Sequence, residues 1–181
     1  MIVLSIGSNL SSSFGDRFQN INYAIAYLEK YEIKIIKKSN FYESPSQPNI
    51  DDPKFINIVI GVTTNLDAEN LASVLLFIEE KLERKKGIKN SSRTCDIDII
   101  DFNGEVKNFK YNNLDFLVPH EKLSLRNFVL YPLQEILPKW KHPKTGIYID
   151  KLIENISEED KKSILKIDKP WYDDLCLIKM I

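Results

Sequence analysis

The sequence has few cysteines and few glycines, and both shortages exclude classes of protein. Its 181 residues include two cysteines, Cys95 and Cys176, and no Cys-x-x-Cys pair. A secreted disulfide scaffold is therefore not expected, and a reducing, cytoplasmic location is predicted. The six glycines form neither a Walker loop (G-x-x-x-x-G-K-[ST]) nor a G-x-G-x-x-G run. Any ATP site is consequently not expected to be of the P-loop type.

Long apolar runs and an excess of charge of one sign are also missing. No stretch approaches the roughly 20 apolar residues of a transmembrane helix, and the start, MIVLSIGSNL, lacks the basic region of a signal peptide. The net charge of −1 gives no general attraction to nucleic acid or to an anionic membrane. With 43% hydrophobic and 28% charged residues, the chain is expected to form one soluble domain over residues 1–181, as a monomer.

The hydrophobic pattern of the first hundred residues predicts the order strand, helix, strand, strand, helix, strand. The predicted segments are strand 2–6, helix 16–31, strand 33–42, strand 55–64, a helix capped by Asp67, and strand 94–102 ending in an Asn103-Gly104 hairpin turn. This order favours an α+β fold of the ferredoxin-like, split-βαβ type, an antiparallel sheet with both helices on one face.

Two further elements are predicted in the second half of the chain. A short apolar helix is expected near Arg126 to Ile136, bent or ended early by Pro132. The tail beyond Asp150 is expected to contain one more helix, and its pattern indicates no function.

Two carboxylates lie in an otherwise apolar strand. Because side chains alternate along a strand, Asp96 and Asp98 leave the same face about 6–7 Å apart, while Ile97 and Ile99 leave the other. Two ionised carboxylates at that distance favour a divalent cation, and Mg²⁺ takes carboxylate and phosphate oxygens. The alternatives are a solvated sheet edge or a structural salt bridge.

A basic stretch precedes this strand. Five cations lie between positions 84 and 93: Arg84, Lys85, Lys86, Lys89 and Arg93. A basic loop beside a carboxylate pair suits a polyphosphate substrate, because arginines can meet the charge that spreads during phosphoryl transfer. A solvated charge run is the alternative interpretation.

Two weaker clusters complete the candidate site. His120 and Arg126 could clamp a phosphate, although His120 alone could be structural. Phe55 and Asn57, with the Ser44-Pro45 loop, offer an aromatic face and an amide to a flat heterocycle, although ordinary packing would also explain them.

Taken together, the motifs resemble the 6-hydroxymethyl-7,8-dihydropterin pyrophosphokinase family of folate biosynthesis over residues 2–138. The matching segments, in chain order, are GSNL at 7–10, SNFYESP at 39–45, FIN at 55–57, IE at 78–79 with Arg84, RTCDIDI at 93–99, VPH at 118–120, and RNFVLYPLQEI at 126–136 with Pro138. The R-T-x-D-[IL]-D-I run followed by P-H and R-x-F is the specific part of this resemblance.

The resemblance implies a ferredoxin-like fold and Mg²⁺-dependent transfer of the β,γ-diphosphate of ATP to the hydroxymethyl group of the pterin, with release of AMP. It implies two Mg²⁺ ions held by Asp96 and Asp98, and loop arginines, Arg84 and Arg93, that assist the transfer. The implied ATP contacts are Glu79, Lys86, Arg93, Ile99, His120 and Arg126. The implied pterin pocket comprises Ser44, Pro45, Phe55, Asn57 and Phe128, with the pterin ring between the two phenylalanines.

The chain departs from the family pattern in its basic loop. Asn90 stands near the place of a common tryptophan, Lys86 replaces a frequent arginine, and Glu83 replaces a common glycine. Lysine does not reproduce the bidentate phosphate contacts of arginine, so these changes affect the nucleotide lid rather than the metal pair.

Two other functions remain open from the sequence. Polymerase palms and nucleotide cyclases also carry paired aspartates on a ferredoxin-like sheet, but they transfer nucleotidyl groups. A non-enzymatic pterin- or nucleotide-binding module could keep the same fold. The adenine-containing product distinguishes the three possibilities: AMP, a nucleotidyl adduct, or none.

Overall fold

The computed structural model describes residues 1–47, 49–85 and 91–171. Its strands are β1 (Ile2–Ser8), β2 (Lys34–Lys38), β3 (Phe41–Ser44), β4 (Phe55–Thr63), β5 (Asp96–Phe102), β6 (Lys107–Tyr111), β7 (Leu114–Val118) and β8 (Leu165–Ile167). Its α-helices are α1 (Arg17–Lys30), α2 (Ala68–Lys81), α3 (Asn127–Ile136), α4 (Ile149–Glu154) and α5 (Glu158–Ser163), and a 3₁₀ turn spans Leu123–Leu125.

The main sheet has the strand order β5-β1-β4-β3-β8, with β2 also paired to β4, and every pairing is antiparallel. This order, with β2 and β3 together taking the place of one strand, confirms the predicted ferredoxin-like α+β fold. Helices α1 and α2 both have aspartate N-caps, of which the one at Asp67 was predicted. Asp16 accepts from the backbone N–H of Gln19 in a capping box, and Asp67 accepts from that of Asn70.

The two faces of the sheet bury different helices. Leu4 and Ile6 of β1 pack with α1 and α2 in the larger core. Val3 of β1, Val59 of β4 and Ile100 of β5 pack on the opposite face with residues of α3 and α4. The prediction of α1 and α2 on one face is therefore confirmed, and the C-terminal helices cover part of the other face.

Two local predictions in the first half of the chain need correction. The strand predicted over 33–42 is two strands, because the Ser39 hydroxyl accepts the Val59 N–H at 3.0 Å where a strand carbonyl would normally do so. The turn at Asn103-Gly104 forms, with positive φ at both residues, but its hairpin is limited to a bridge between Phe102 and Glu105. The next strand, β6, pairs with β7 in a separate two-stranded sheet.

The second half also differs from the prediction. Helix α3 continues through Pro132 to Ile136. The tail holds α4, α5 and β8 rather than one helix. Among the residues that the structure describes, no helix is long and apolar enough to cross a membrane.

Candidate active site

The two aspartates of β5 lie on the sheet face that carries α3, each in an ion pair. Asp96 Oδ1 accepts from Arg84 and from Arg93, each at 2.8 Å, and Asp98 Oδ2 accepts from Arg126 at 2.8 Å. The two carboxylates stay 29% and 33% exposed, so cations can still reach them. The sequence left a metal site and a structural salt bridge as alternatives for these aspartates. In this structure they form salt bridges with Arg84, Arg93 and Arg126.

Glu79 anchors this network from helix α2. Its Oε1 accepts from the backbone N–H of Ile97 at 2.7 Å and from the guanidinium of Arg84. Burial raises the pKa of Glu79 to about 8, although the Arg84 charge acts in the opposite direction. Arg84 therefore bridges a buried acid on the helix and an accessible one on the strand.

The end of helix α2 directs Arg84 toward this position. Glu83, the next residue after the C-cap Leu82, has φ of 65°, in the left-handed region that glycine adopts most easily. Here the Glu83 carboxylate is held by the N–H of Ser13 at 3.0 Å and by its hydroxyl at 2.6 Å.

Arg93 is positioned by Asn9, a residue to which the sequence reading gave no role. Asn9 Oδ1 accepts from the Arg93 N–H at 2.6 Å, and the N–H groups of Asn9 and Leu10 both donate to the Arg93 carbonyl. Asn9 Nδ2 also donates to the Ser92 hydroxyl at 3.0 Å. The GSNL motif thus holds the C-terminal end of the basic loop against β1.

The residues predicted to bind a flat heterocycle lie beside the aspartates. The buried Asn57 donates to the Ser44 hydroxyl at 3.0 Å and stands directly opposite Gly7 in the β1–β4 register. A Cβ atom at Gly7 would lie 3.1 Å from Asn57 Oδ1 and 3.4 Å from Phe55 Cδ1. The absence of a side chain at Gly7 therefore keeps room beside the amide and the ring.

The other wall comes from the N-terminal end of α3. Arg126, which pairs with Asp98, lies over the Phe128 ring at 5.5 Å from its centroid. The half-buried His120 accepts the Lys122 N–H on Nδ1 at 3.1 Å. Burial lowers the pKa of His120, against the attraction of Asp98 for its charged form.

One cavity of about 670 Å³ brings these groups together. Nine of the predicted site residues line it: Ser44, Pro45, Phe55, Asn57, Arg93, Asp96, Asp98, Arg126 and Phe128. Sequence reasoning missed seven lining residues: Ser5, Gly7, Gln47, Ile50, Ser91, Lys122 and Leu125. Of these, Ser5 and Gly7 could have been found, because the strand period places them on one face of β1.

Of the predicted site residues that the structure describes, four lie outside this lining. Arg84 and Glu79 reach it indirectly through Asp96, and His120 lies close enough to interact with Asp98. The Ile99 side chain packs in the core on the opposite face. The Ile97 N–H points away from β1 and donates to Glu79. Backbone groups two residues apart in a strand point to the same side, so the N–H and carbonyl of Ile99 also face the outer edge of β5. An ATP contact by Ile99 would therefore use its backbone.

The structure does not describe part of the predicted basic loop. Lys86 and Asn90 lie outside the described residues, as does Cys176. Within the described ranges, no group of three or more His, Cys, Asp or Glu residues could hold a metal ion. The metal ligands predicted from the sequence are two aspartates, Asp96 and Asp98. An ion bound by them would complete its coordination with water and substrate oxygens.

The chain is similar to known proteins. The model of the 7,8-dihydro-6-hydroxymethylpterin-pyrophosphokinase family matches residues 3–138. The 2-amino-4-hydroxy-6-hydroxymethyldihydropteridine pyrophosphokinase of Aquifex aeolicus is 35% identical over 142 residues, which cover 78% of this chain and 83% of that protein.

Two longer proteins are also similar. The folic acid synthesis protein fol1 of Pneumocystis carinii is 35% identical over 164 residues, 91% of this chain, but the chain spans only 21% of its length. The crystal structure of a triple mutant of Plasmodium falciparum HPPK-DHPS with pteroate has a TM-score of 0.71 at 18% identity, covering 92% of this chain and 46% of that one, which supports the fold. From the family match and the Aquifex relative we conclude that the chain belongs to the 7,8-dihydro-6-hydroxymethylpterin-pyrophosphokinase family.

Proposed function

We propose that this enzyme transfers the β,γ-diphosphate of ATP to the hydroxymethyl group of 6-hydroxymethyl-7,8-dihydropterin and releases AMP. The observation that carries the proposal is the single cavity in which an aromatic, amide-bearing half adjoins a half of arginines and aspartates. A flat, hydrogen-bonding heterocycle suits the first half and a polyphosphate suits the second. Because the two halves adjoin in one cavity, the proposed substrates would bind next to each other, as direct transfer requires.

In the proposed reaction the pterin hydroxyl oxygen bonds to the β-phosphorus of ATP. The bond between that phosphorus and the oxygen bridging to the α-phosphate breaks, AMP leaves with that oxygen, and the hydroxyl loses its proton. Asn57 and Ser44 would select the pterin by hydrogen bonds, while Phe55 and Phe128 would hold its ring. This arrangement converts a reaction between two solutes into one between oriented neighbours.

The arginines would act on the phosphate chain. Arg84 and Arg93 share one oxygen of Asp96, and Arg126 is paired with Asp98. When a polyphosphate and a cation occupy the cavity, the carboxylates can take the cation and the guanidinium groups can turn to phosphate oxygens. The exchange keeps every charge paired and places three cations around the group that is transferred.

The donor set suits Mg²⁺. Asp96 and Asp98 supply hard carboxylate oxygens on one strand face, and Mg²⁺ usually binds one or two carboxylates together with water and substrate phosphates. The ion would neutralise charge on the phosphates of ATP. Two ions, a cytoplasmic location and a monomeric state remain predictions from the sequence.

The direct test is an incubation of the protein with ATP, Mg²⁺ and the reduced pterin alcohol, with all products resolved by chromatography. We expect AMP and the pterin diphosphate in equal amounts, and neither product without Mg²⁺. Formation of ADP or of a nucleotidyl adduct with pyrophosphate would contradict the proposed transfer. An absence of any pterin-dependent product would contradict it as well.

A further inference from the structure

The segment 157–167, here called the C-terminal clamp, contacts residues that directly adjoin both walls of the cavity. It consists of the N-cap Ser157, helix α5 and strand β8, and it lies beyond the residues 3–138 that match the family. Strand β8 pairs with β3, with Leu165 opposite Glu43 and Ile167 opposite Phe41. Because Ser44 follows Glu43 directly, the clamp stabilises the strand that carries one side of the proposed pterin pocket.

Asn127 connects the clamp to the opposite wall. This buried residue lies between Arg126 and Phe128, two residues that line the cavity. Its Nδ2 donates to the Asp160 carbonyl at 2.6 Å and to the Ser163 hydroxyl at 3.0 Å, while its Oδ1 accepts the Phe128 N–H at 2.6 Å. One amide therefore holds both the clamp and the backbone of a pocket residue.

A third link joins the clamp to Asn57, which lines the cavity. Lys166 lies 3.4 Å from Glu135 of α3, and Glu135 accepts from the Tyr42 hydroxyl at 2.8 Å. The Tyr42 carbonyl in turn accepts from Asn57 Nδ2 at 3.4 Å. The chain of contacts runs from the clamp through α3 and β3 to the amide proposed to recognise the pterin.

We propose that the C-terminal clamp is a positioning element for the pterin pocket, with Asn127 as the positioning residue that connects it to Arg126 and Phe128. This inference rests on the proposed function. Its physical reason is preorganisation: a pocket whose walls are already ordered loses less conformational entropy when the ligand binds. The clamp acts through these residues and does not touch the reacting atoms.

A double-mutant cycle on the full chain tests the link. Asn127→Ala and Ser163→Ala, singly and together, are compared with Lys151→Ala, which removes an exposed ion pair to Glu154 in the neighbouring helix α4. The measured quantities are kcat, the KM for the reduced pterin alcohol, and its dissociation constant in the presence of a non-hydrolysable ATP analogue. Thermal unfolding of each variant separates loss of affinity from loss of fold.

Each net hydrogen bond corresponds to a roughly two- to tenfold change in an equilibrium constant. We therefore expect Ser163→Ala to weaken pterin binding roughly two- to fivefold and Asn127→Ala roughly tenfold, with Lys151→Ala unchanged. Ser163→Ala should add little in the Asn127→Ala background, because both changes remove the same link. Additive effects, or unchanged pterin binding in both single variants, would overturn the inference.

Hydrogen exchange on the unmodified protein supplies a second test that does not depend on variants folding. If an ordered clamp favours pterin binding, linkage requires that pterin binding favours an ordered clamp. The pterin alcohol with the ATP analogue should then slow amide exchange in residues 157–167, and leave α4 unchanged. Equal exchange with and without pterin in 157–167 would refute the inference.

The experiments distinguish a failure of the clamp's proposed role from a failure of the proposed function. If the unmodified protein forms the pterin diphosphate and AMP, but the variants and the exchange pattern behave like their controls, only the role of the clamp is wrong. If the unmodified protein neither binds nor converts the pterin, the proposed function itself is wrong.

Discussion

A single added methyl group at Gly7 should separate pterin recognition from protein stability. In Gly7→Ala the new Cβ would lie 3.1 Å from Asn57 Oδ1, closer than an ordinary van der Waals contact, and 3.4 Å from Phe55 Cδ1. A movement of the Asn57 amide away from the methyl group would disturb its 3.0 Å hydrogen bond to Ser44. The methyl group would also occupy space in the cavity that Gly7 lines.

The expected magnitude follows from the size of the displacement. Overpacking by a methyl group typically costs about 1–3 kcal/mol. We expect about 1–2 kcal/mol of this cost to fall on pterin binding, because the displaced Asn57 and Phe55 are the groups proposed to hold the ring; it corresponds to an about five- to thirtyfold weaker dissociation constant for the pterin. Replacing glycine by alanine also restricts the unfolded chain, which contributes roughly 0.4–1 kcal/mol of stability where the backbone is compatible.

The predicted signature is thus weaker pterin binding at nearly unchanged thermal stability. Calorimetric titration of the pterin alcohol, with the ATP analogue present, measures the affinity, and ATP affinity should change little. Gly61→Ala is the matched control: it lies on β4, and its Cβ would meet the flexible Met1 side chain rather than the pocket. Unchanged pterin affinity in Gly7→Ala, or a loss equal to that of Gly61→Ala, would refute the assignment of this half of the cavity.

Three further predictions concern the charged half. Asp96→Asn and Asp98→Asn should each lower Mg²⁺-dependent AMP formation about 10²-fold or more while circular dichroism stays unchanged, and near-normal turnover would exclude a metal role. Arg93→Ala should lower kcat about 10²–10³-fold with a small change in ATP affinity; a proportional loss of ATP binding would make Arg93 a binding residue. The pKa of Glu79 is raised from 4.5 to about 8, so the stability that its neutral form contributes is present below pH 4.5 and is lost as the pH rises toward 8. Urea unfolding of Glu79→Gln should therefore vary less between pH 5 and 8 than that of the wild type, and identical pH profiles would contradict this pKa.

The local features of the fold could be predicted from the sequence because they depend on near neighbours. The caps at Asp16 and Asp67 and the helical spacing that follows them act within one or two turns, and both helices form as predicted. The alternation along β5 determines by itself that Asp96 and Asp98 share a face, since successive side chains of any strand point to opposite sides.

The break between β2 and β3 could not be predicted, since it depends on the Ser39 hydroxyl meeting the N–H of Val59 on another strand. The bounds of α3 could be predicted, but its continuation through Pro132 could not, because this buried proline is held in the helix by tertiary packing that local propensity does not describe.

The pairing of the charges was decided by tertiary structure alone. Arg126 meets Asp98 across 28 positions, and Arg84 meets both Glu79 and Asp96, because the sheet order places β5 between α2 and the start of α3. The contacts of the tail were likewise decided by tertiary structure. The sequence of residues 157–167 indicates no function, but β8 pairs with β3 and Asn127 donates to the Asp160 carbonyl of α5. A residue pattern determines which face a side chain takes within its own element. Which side chains then meet depends on strand order and register, and these are set by the burial of the whole apolar core.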